Sequence, residues 1–239
     1  MGQKVHPIGF RVGITEDWVS RWFAPSKGAF GEFLVEDEKI RRFIDSKLNK
    51  QPPFAGISRT EIERTRDEVR VIVHTARPGI VIGPRGAEID KLRGMLEGLI
   101  QRRVDVQVRE VRNPDVNAQL VAEAVAEQLR RRASFRRVMK QRCETALQSG
   151  AKGVKIICSG RLGGAEMSRR ETQQMGSIPL ATLQAKIDYG YAIGRLTAPL
   201  ACGAGCTWAA MARLKSRRPK ARRLCVRSGV AGGRNARPE

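Results

Sequence analysis

Between residues 38 and 110 the apolar period switches repeatedly, and the order of the switches leaves little choice of fold. Ile40, Phe43, Ile44 and Leu48 have helical spacing, and Gln51-Pro52-Pro53 closes that helix because a residue before proline is pushed out of the α region. Residues 57–65 alternate weakly and residues 69–75 are β-branched and apolar, which predicts two adjacent strands. Pro78-Gly79-Ile80-Val81-Ile82 is a short apolar turn of helix. Gly83-Pro84-Arg85-Gly86 leads from it into a helix with Ile89, Leu92, Met95, Leu96 and Leu99 on one face. Val104, Val106 and Val108 then alternate with Asp105, Gln107 and Arg109 as a third strand. The order is helix, strand, strand, short helix, Gly-x-x-Gly, helix, strand.

The two glycines allow backbone N–H groups to approach phosphates, the next helix adds its positive end, and Arg85 supplies a mobile cation. Pro84 removes one of those donors. No Lys-Ser or Lys-Thr follows the second glycine, so this is not the phosphate loop of an NTPase. Taken alone, the four residues also fit plain turn glycines between helices. Set in an αββααβ order they resemble a type II KH domain, whose loop clamps about four nucleotides of backbone.

Asn113-Pro114-Asp115 is a turn, which makes residues 111–116 a linker between a KH domain at 38–110 and a second α+β domain at 117–195. A helical pattern from Asn117 to Gln148 shifts phase near Ala133-Ser134, predicting two helices joined at a bend, with Ser134 able to cap the second. Residues 154–160 read as a strand, 161–164 as a glycine turn, 165–174 as the return, and 183–189 as another strand. The expected fold is α+β: the KH domain, then two helices packed on a small mixed or antiparallel sheet, then an irregular basic tail at 196–239. Residues 1–37 read as a partly extended arm with Lys4 and Arg11 able to lie along another macromolecule, or as an ordinary frayed terminus.

Charge points to the partner. The chain has 45 Lys and Arg against 24 Asp and Glu, a formal +21. Self-repulsion of that size opposes compaction unless a polyanion is present. Residues 190–239 alone hold +10 of it, which leaves +11 for the body. Within the body, residues 130–142 carry seven bases and no acid; Arg132, Arg136 and Lys140 would form one ridge on a continuous helix. Bare, such a ridge is destabilising; a phosphate backbone turns the repulsion into salt-sensitive attraction. Other chemistries find little support. No apolar run is long enough to cross a membrane, and no signal segment opens the chain. Five scattered cysteines read as reduced thiols. Cys202, Cys206 and Cys225 lack a zinc spacing and a nearby histidine. Of the two histidines, His6 and His74, the latter sits in an apolar strand as a structural residue. Glu61/Glu63 and Asp67/Glu68 read as solubilising acids at strand edges. No metal, cofactor or catalytic residue is expected.

Several motifs resemble one family. They are residues 2–11 (Gly-Gln-Lys-Val-His-Pro-Ile-Gly-Phe-Arg), 78–83 (Pro-Gly-Ile-Val-Ile-Gly), 117–123 (Asn-Ala-Gln-Leu-Val-Ala-Glu), 159–166 (Ser-Gly-Arg-Leu-Gly-Gly-Ala-Glu), and Ile178-Pro179-Leu180 with Ile187-Asp188-Tyr189. Over roughly residues 1–190 the chain resembles the bacterial-type family of small ribosomal subunit protein three. The resemblance implies a non-enzymatic protein of the small-subunit head, cytoplasmic on a bacterial or organellar ribosome. It would bind small-subunit rRNA and line the channel by which mRNA enters, beside ribosomal proteins four and five and touching ten and fourteen. By the same resemblance Arg131, Arg132, Arg136, Arg137 and Lys140 would grip mRNA and help open its structure. Gly83, Pro84, Arg85 and Gly86 would form the KH loop, and Lys4, His6, Arg11 and Arg161 would touch rRNA. A free-standing KH regulator of single-stranded RNA is the alternative, and a nucleic-acid enzyme lacks any acid cluster or metal site.

The match stops near residue 190. The family closes its second domain with a strand resembling Gly-Val-Lys-Val-Trp-Ile, and no such run follows Ile193 here. The expectation is that periodicity ends after about residue 195. The tail is then either a frameshifted sequence or a basic extension, and the second sheet lacks a member and exposes an edge.

Overall fold

A serine starts the first helix. In the computed structural model, which describes residues 5–49, 53–66, 68–195 and 205–213, the Ser26 hydroxyl accepts from Ala29 N at 3.3 Å and α1 runs Lys27–Ile44. It therefore begins well before Glu38. Phe30, Leu34 and Val35 in its first half stay exposed and present no inward period to read, whereas Ile40 and Ile44 are buried. A π-helical stretch, Asp45–Asn49, ends it.

Strands β1 (Ser20–Arg21), β2 (Ile57–Arg64), β3 (Glu68–Thr75) and β4 (Arg103–Glu110) form one sheet in that order. β2 and β3 are antiparallel; β1–β2 and β3–β4 are parallel. The crossover from β3 to β4 carries α2 (Pro78–Ile82) and α3 (Ala87–Ile100). Ile62, Val69, Val71 and Val73 of the sheet meet Ile40, Ile44, Leu92 and Leu96 in one core. The αββααβ order is present, with β1 added at the edge.

In the second unit α4 (Ala118–Arg130) and α5 (Phe135–Gln148) pack on β5 (Gly153–Gly160), β6 (Arg169–Gly176), β7 (Asp188–Arg195) and β8 (Gly205–Arg213). The sheet order is β6-β5-β8-β7 and every neighbouring pair is antiparallel. Val121, Val125, Leu129, Val138, Met139, Val154 and Ile156 form the second core. The two units meet at the start of α4. Asn117 Oδ1 accepts from Gln119 N and Leu120 N, its amide donates to Ser58 Oγ at 2.6 Å, and Asp188 of β7 accepts from Ala118 N at 2.8 Å. A Cβ on Gly190 would lie 2.2 Å from the Ala118 carbonyl oxygen, so α4 crosses β7 in backbone contact and only glycine fits there.

Three expectations are corrected. Residues after 195 were expected to hold no strand, yet Gly205–Arg213 lies between β5 and β7 and bonds to both. Backbone pairing from two sides fills the slot despite weak β propensity, and the sheet keeps its central member. Residues 196–204 and 214–239 lie outside the described residues. The strand expected at 183–189 starts only at Asp188, because the carbonyls of Leu180, Thr182 and Ala185 are turned onto Arg11 and cannot serve a ladder.

The N-terminal arm is the third correction. Residues 6–16 turn back on the chain's own second unit. Arg11 is fully buried: Nε donates to Ala185 O at 2.7 Å, Nη1 to Pro7 O at 3.0 Å, and Nη2 to Leu180 O and Thr182 O at 2.9 and 2.8 Å. Farther along, Trp22 Nε1 donates to Asp37 at 2.8 Å, and Asp37 and Glu36 pair with Arg64, whose side chain is 3% exposed. The arm thus straps one unit to the other. Arg11→Met leaves four carbonyls without their donor and is expected to cost about 3 kcal/mol in urea unfolding. The same variant should expose residues 5–16 to limited proteolysis; wild-type stability and protection would contradict the strap.

Candidate nucleic-acid interface

The Gly-x-x-Gly loop has the backbone its glycines imply. Gly83 ends α2 at φ 69°, ψ −179°, Arg85 is left-handed at φ 55°, and Gly86 follows at φ 82°. A Cβ on Gly83 would meet Glu88 Cγ at 2.5 Å, a second reason for glycine. Arg85 is exposed and without an ion pair among the described residues. The electrostatics are weaker than the motif suggests. Pro84 offers no N–H, and the first turn of α3 carries Glu88 and Asp90, which already answer the helix dipole. Lys91 Nζ in turn pairs with Glu88 at 2.9 Å.

The second candidate lies on α5. Arg132 adopts a left-handed conformation (φ 61°) that turns the chain between α4 and α5, so it sits in the bend, not on a ridge with Arg136 and Lys140. α5 buries Val138, Met139, Cys143 and Ala146 and turns Arg136, Arg137 and Lys140 outward. Its first turn holds no acid. Arg131 pairs with Glu127 at 2.5 Å and Arg136 reaches Glu171 at 3.9 Å, while Arg132, Arg137 and Lys140 make no ion pair among the described residues. The bend keeps like charges apart along the chain, yet all five stay exposed.

The expected rRNA contacts divide. Lys4 lies outside the described residues. His6 packs edge-on against Tyr189 with ring centroids 4.5 Å apart and is exposed. Arg161 Nε donates to Ala165 O at 2.9 Å and braces its own glycine turn, and the residue is half-buried. Arg11 is corrected: buried and committed to four carbonyls, it has no face for RNA. Sequence reading did not single out Phe135 and Arg169, which the structure brings beside Arg136. The adjacent bases after Ser168, in a segment expected to return beside residues 154–160, were the available signal.

The comparisons with known proteins bear on the same two units. Residues 39–116 match the KH domain family, and residues 125–200 match the family described as ribosomal protein S3, C-terminal domain. The small ribosomal subunit protein uS3 of Rhodopirellula baltica is 58% identical over 192 residues, 80% of this chain and 81% of that one. The uS3 proteins of Desulfatibacillum aliphaticivorans and Anaeromyxobacter dehalogenans are 54% and 52% identical, over 80% and 82% of this chain and 85% of theirs. The chain belongs to the uS3 family. It is a structural, RNA-binding protein of the small ribosomal subunit and not an enzyme.

The titratable groups whose pKa is shifted are buried or half-buried in the fold. Cys143 and Cys158 are buried in the second core, and burial pushes the Cys143 thiol up to about 11, away from the reactive thiolate. No cluster able to hold a metal occurs among the described residues, and no helix there is long and apolar enough to cross a membrane. His74 is half-buried on β3 with Nε2 3.4 Å from Glu61. Burial lowers its pKa below 6.5, with Arg59 and Arg109 acting in the same sense and Glu61 against it. Stability from neutral His74 is therefore present above pH 6.5 and lost as pH falls through the lowered folded value. Glu123 and Asp188 act oppositely, because burial raises both, and their share is lost as pH rises through the raised values. The prediction is a difference: His74→Gln should lose less thermal stability than wild type between pH 7 and pH 5. Parallel curves would contradict it.

Proposed function

We propose that this uS3-family chain sits in the head of the small subunit and uses the outer face of α5 to hold mRNA where it enters. Arg136, Arg137 and Lys140, with Arg131 and Arg132 in the bend before them, bind phosphates of the incoming strand and assist the opening of its secondary structure. The observation that carries this is the α5 face itself: three cations in two turns, no acid in the first turn, and no ion pair on Arg137 or Lys140 among the described residues. Small-subunit rRNA is bound elsewhere on the body, with His6, Arg161 and the Arg85 loop as contacts. Lys4, outside the described residues, is assigned to the same rRNA. The neighbours in this assignment are ribosomal proteins four and five at the channel and ten and fourteen in the head, on a bacterial or organellar ribosome in the cytoplasm or its equivalent. A free-standing KH regulator fits less well, because the loop it would depend on lacks the Pro84 donor and adjoins Glu88 and Asp90.

The basic end stands apart from this function. We propose that the codons beyond about residue 195 are read out of frame. Starting from the third base of the Leu200 codon, synonymous codons through Ala209 permit Gly-Leu-Arg-Cys-Trp-Met-Tyr-Leu-Gly, which has the glycine, tryptophan and apolar alternation of the closing strand implied by the resemblance. The gene sequence tests this: bases that do not encode such a run one frame over overturn it.

The function is tested by replacing Arg136, Arg137 and Lys140 with Gln together. Small subunits reconstituted with this variant should assemble and sediment normally in high salt. On the isolated chain, the slope of log affinity for RNA against log salt should fall by about 2–3, roughly one for each phosphate no longer neutralised. Passage of ribosomes through a strong mRNA hairpin should slow several-fold, and normal passage would overturn the assignment.

A further inference from the structure

Phe135, the first residue of α5, collects two guanidiniums. Arg136 Cζ lies 5.7 Å and Arg169 Cζ 5.5 Å from its ring centroid. One cation belongs to the helix and the other to the first residue of β6, which among the described residues pairs only with β5 and forms an edge of the sheet. Each is drawn to the ring by cation–π attraction, while the two repel one another. Glu171 answers Arg136 at 3.9 Å, the outer limit of an ion pair, and Arg169 has no ion pair among the described residues. Gly163 keeps the ring uncrowded, since even a Cβ there would only just touch Phe135 at 4.0 Å. Arg170 follows, exposed on the opposite face of the pleated strand.

Two planar forks held on one ring, at the end of a cationic helix face and short of counter-charge, are arranged for an anion with several acceptor oxygens. We propose that Arg136, Phe135 and Arg169 clasp a backbone phosphate of the single-stranded RNA that α5 holds. The strand then continues from the helix onto the β6 edge at Arg169. This rests on the assignment of α5 to RNA and lengthens that track. A polyanion fits better than an acidic peptide: Lys140, Arg137 and Arg136 on α5 and Arg169 on β6 set cations on two neighbouring elements, which regularly spaced phosphates satisfy together. Glu171 competes with that phosphate for Arg136.

A labelled oligouridylate and the full chain, followed by fluorescence anisotropy at fixed salt, separate the outcomes. Arg169→Gln is expected to weaken binding about fivefold and to lower the salt slope by about one. Arg169→Lys, which keeps the charge without the planar fork, should fall between. Glu171→Gln should tighten binding about twofold or more, since it removes the competing carboxylate. Phe135→Leu, checked for wild-type unfolding, should weaken binding as Arg169→Gln does. If Arg169→Gln and Glu171→Gln bind as wild type while Arg137→Gln is weakened, the clasp is overturned and the α5 track stands. If Arg137→Gln also binds as wild type, both fail. Wild-type affinity for Arg169→Lys alone would overturn the stacked geometry.

Discussion

One buried guanidinium ties the N-terminal arm to the second unit. Arg11 gives its nitrogens to carbonyls at 7, 180, 182 and 185, so the segment before β7 is shaped around a side chain from the far end of the chain. A charge this deep is tolerated only because its N–H groups meet carbonyls and it need not be stripped of partners. From Arg11 the chain runs to β1 on the edge of the first sheet and to Trp22, whose indole is tied to the Asp37–Arg64 pair. The same few residues that order 180–187 also place Asp188, and Asp188 holds the first N–H of α4. The direction of α4, and through the Arg132 bend that of α5, follows from this chain of contacts.

The RNA-binding capacity is distributed unevenly over that frame. The KH loop has the required backbone, with glycine where a side chain would strike Glu88, but its donors are reduced by Pro84 and its field by two acids in the next turn. The α5 face has the opposite character: no special backbone, but several cations with little internal counter-charge. In a chain whose body carries +11, the placement of acids discriminates more than the placement of bases. Glu127 and Glu171 each answer one arginine beside α5, and Glu36 and Asp37 are consumed inward by Arg64.

Much of this was legible in the sequence where apolar period and backbone needs coincide. The αββααβ order, the two helices split near Ser134 and the first hairpin of the second sheet all follow from alternation or helical spacing. What was not legible depended on contacts distant in sequence. Nothing local in Gly9-Phe10-Arg11 says that the arginine will be buried against residue 185, and a basic residue in an irregular arm reads as a surface contact. The start of α1 was missed because Phe30, Leu34 and Val35 point outward and break the period. β8 was missed because Gly205–Arg213 has little β-branched character, and its place comes from two neighbours that need a partner. Phe135 joins Arg136 to Arg169 across elements, which no spacing rule registers.

The central claim is that the body of this uS3-family protein meets RNA through the outer face of α5. Electron cryomicroscopy of small subunits reconstituted with this chain and a long single-stranded mRNA addresses it directly. The account predicts nucleic-acid density along Lys140, Arg137 and Arg136 within hydrogen-bonding distance. Density absent from that face, with the face in solvent or covered by protein, would contradict it.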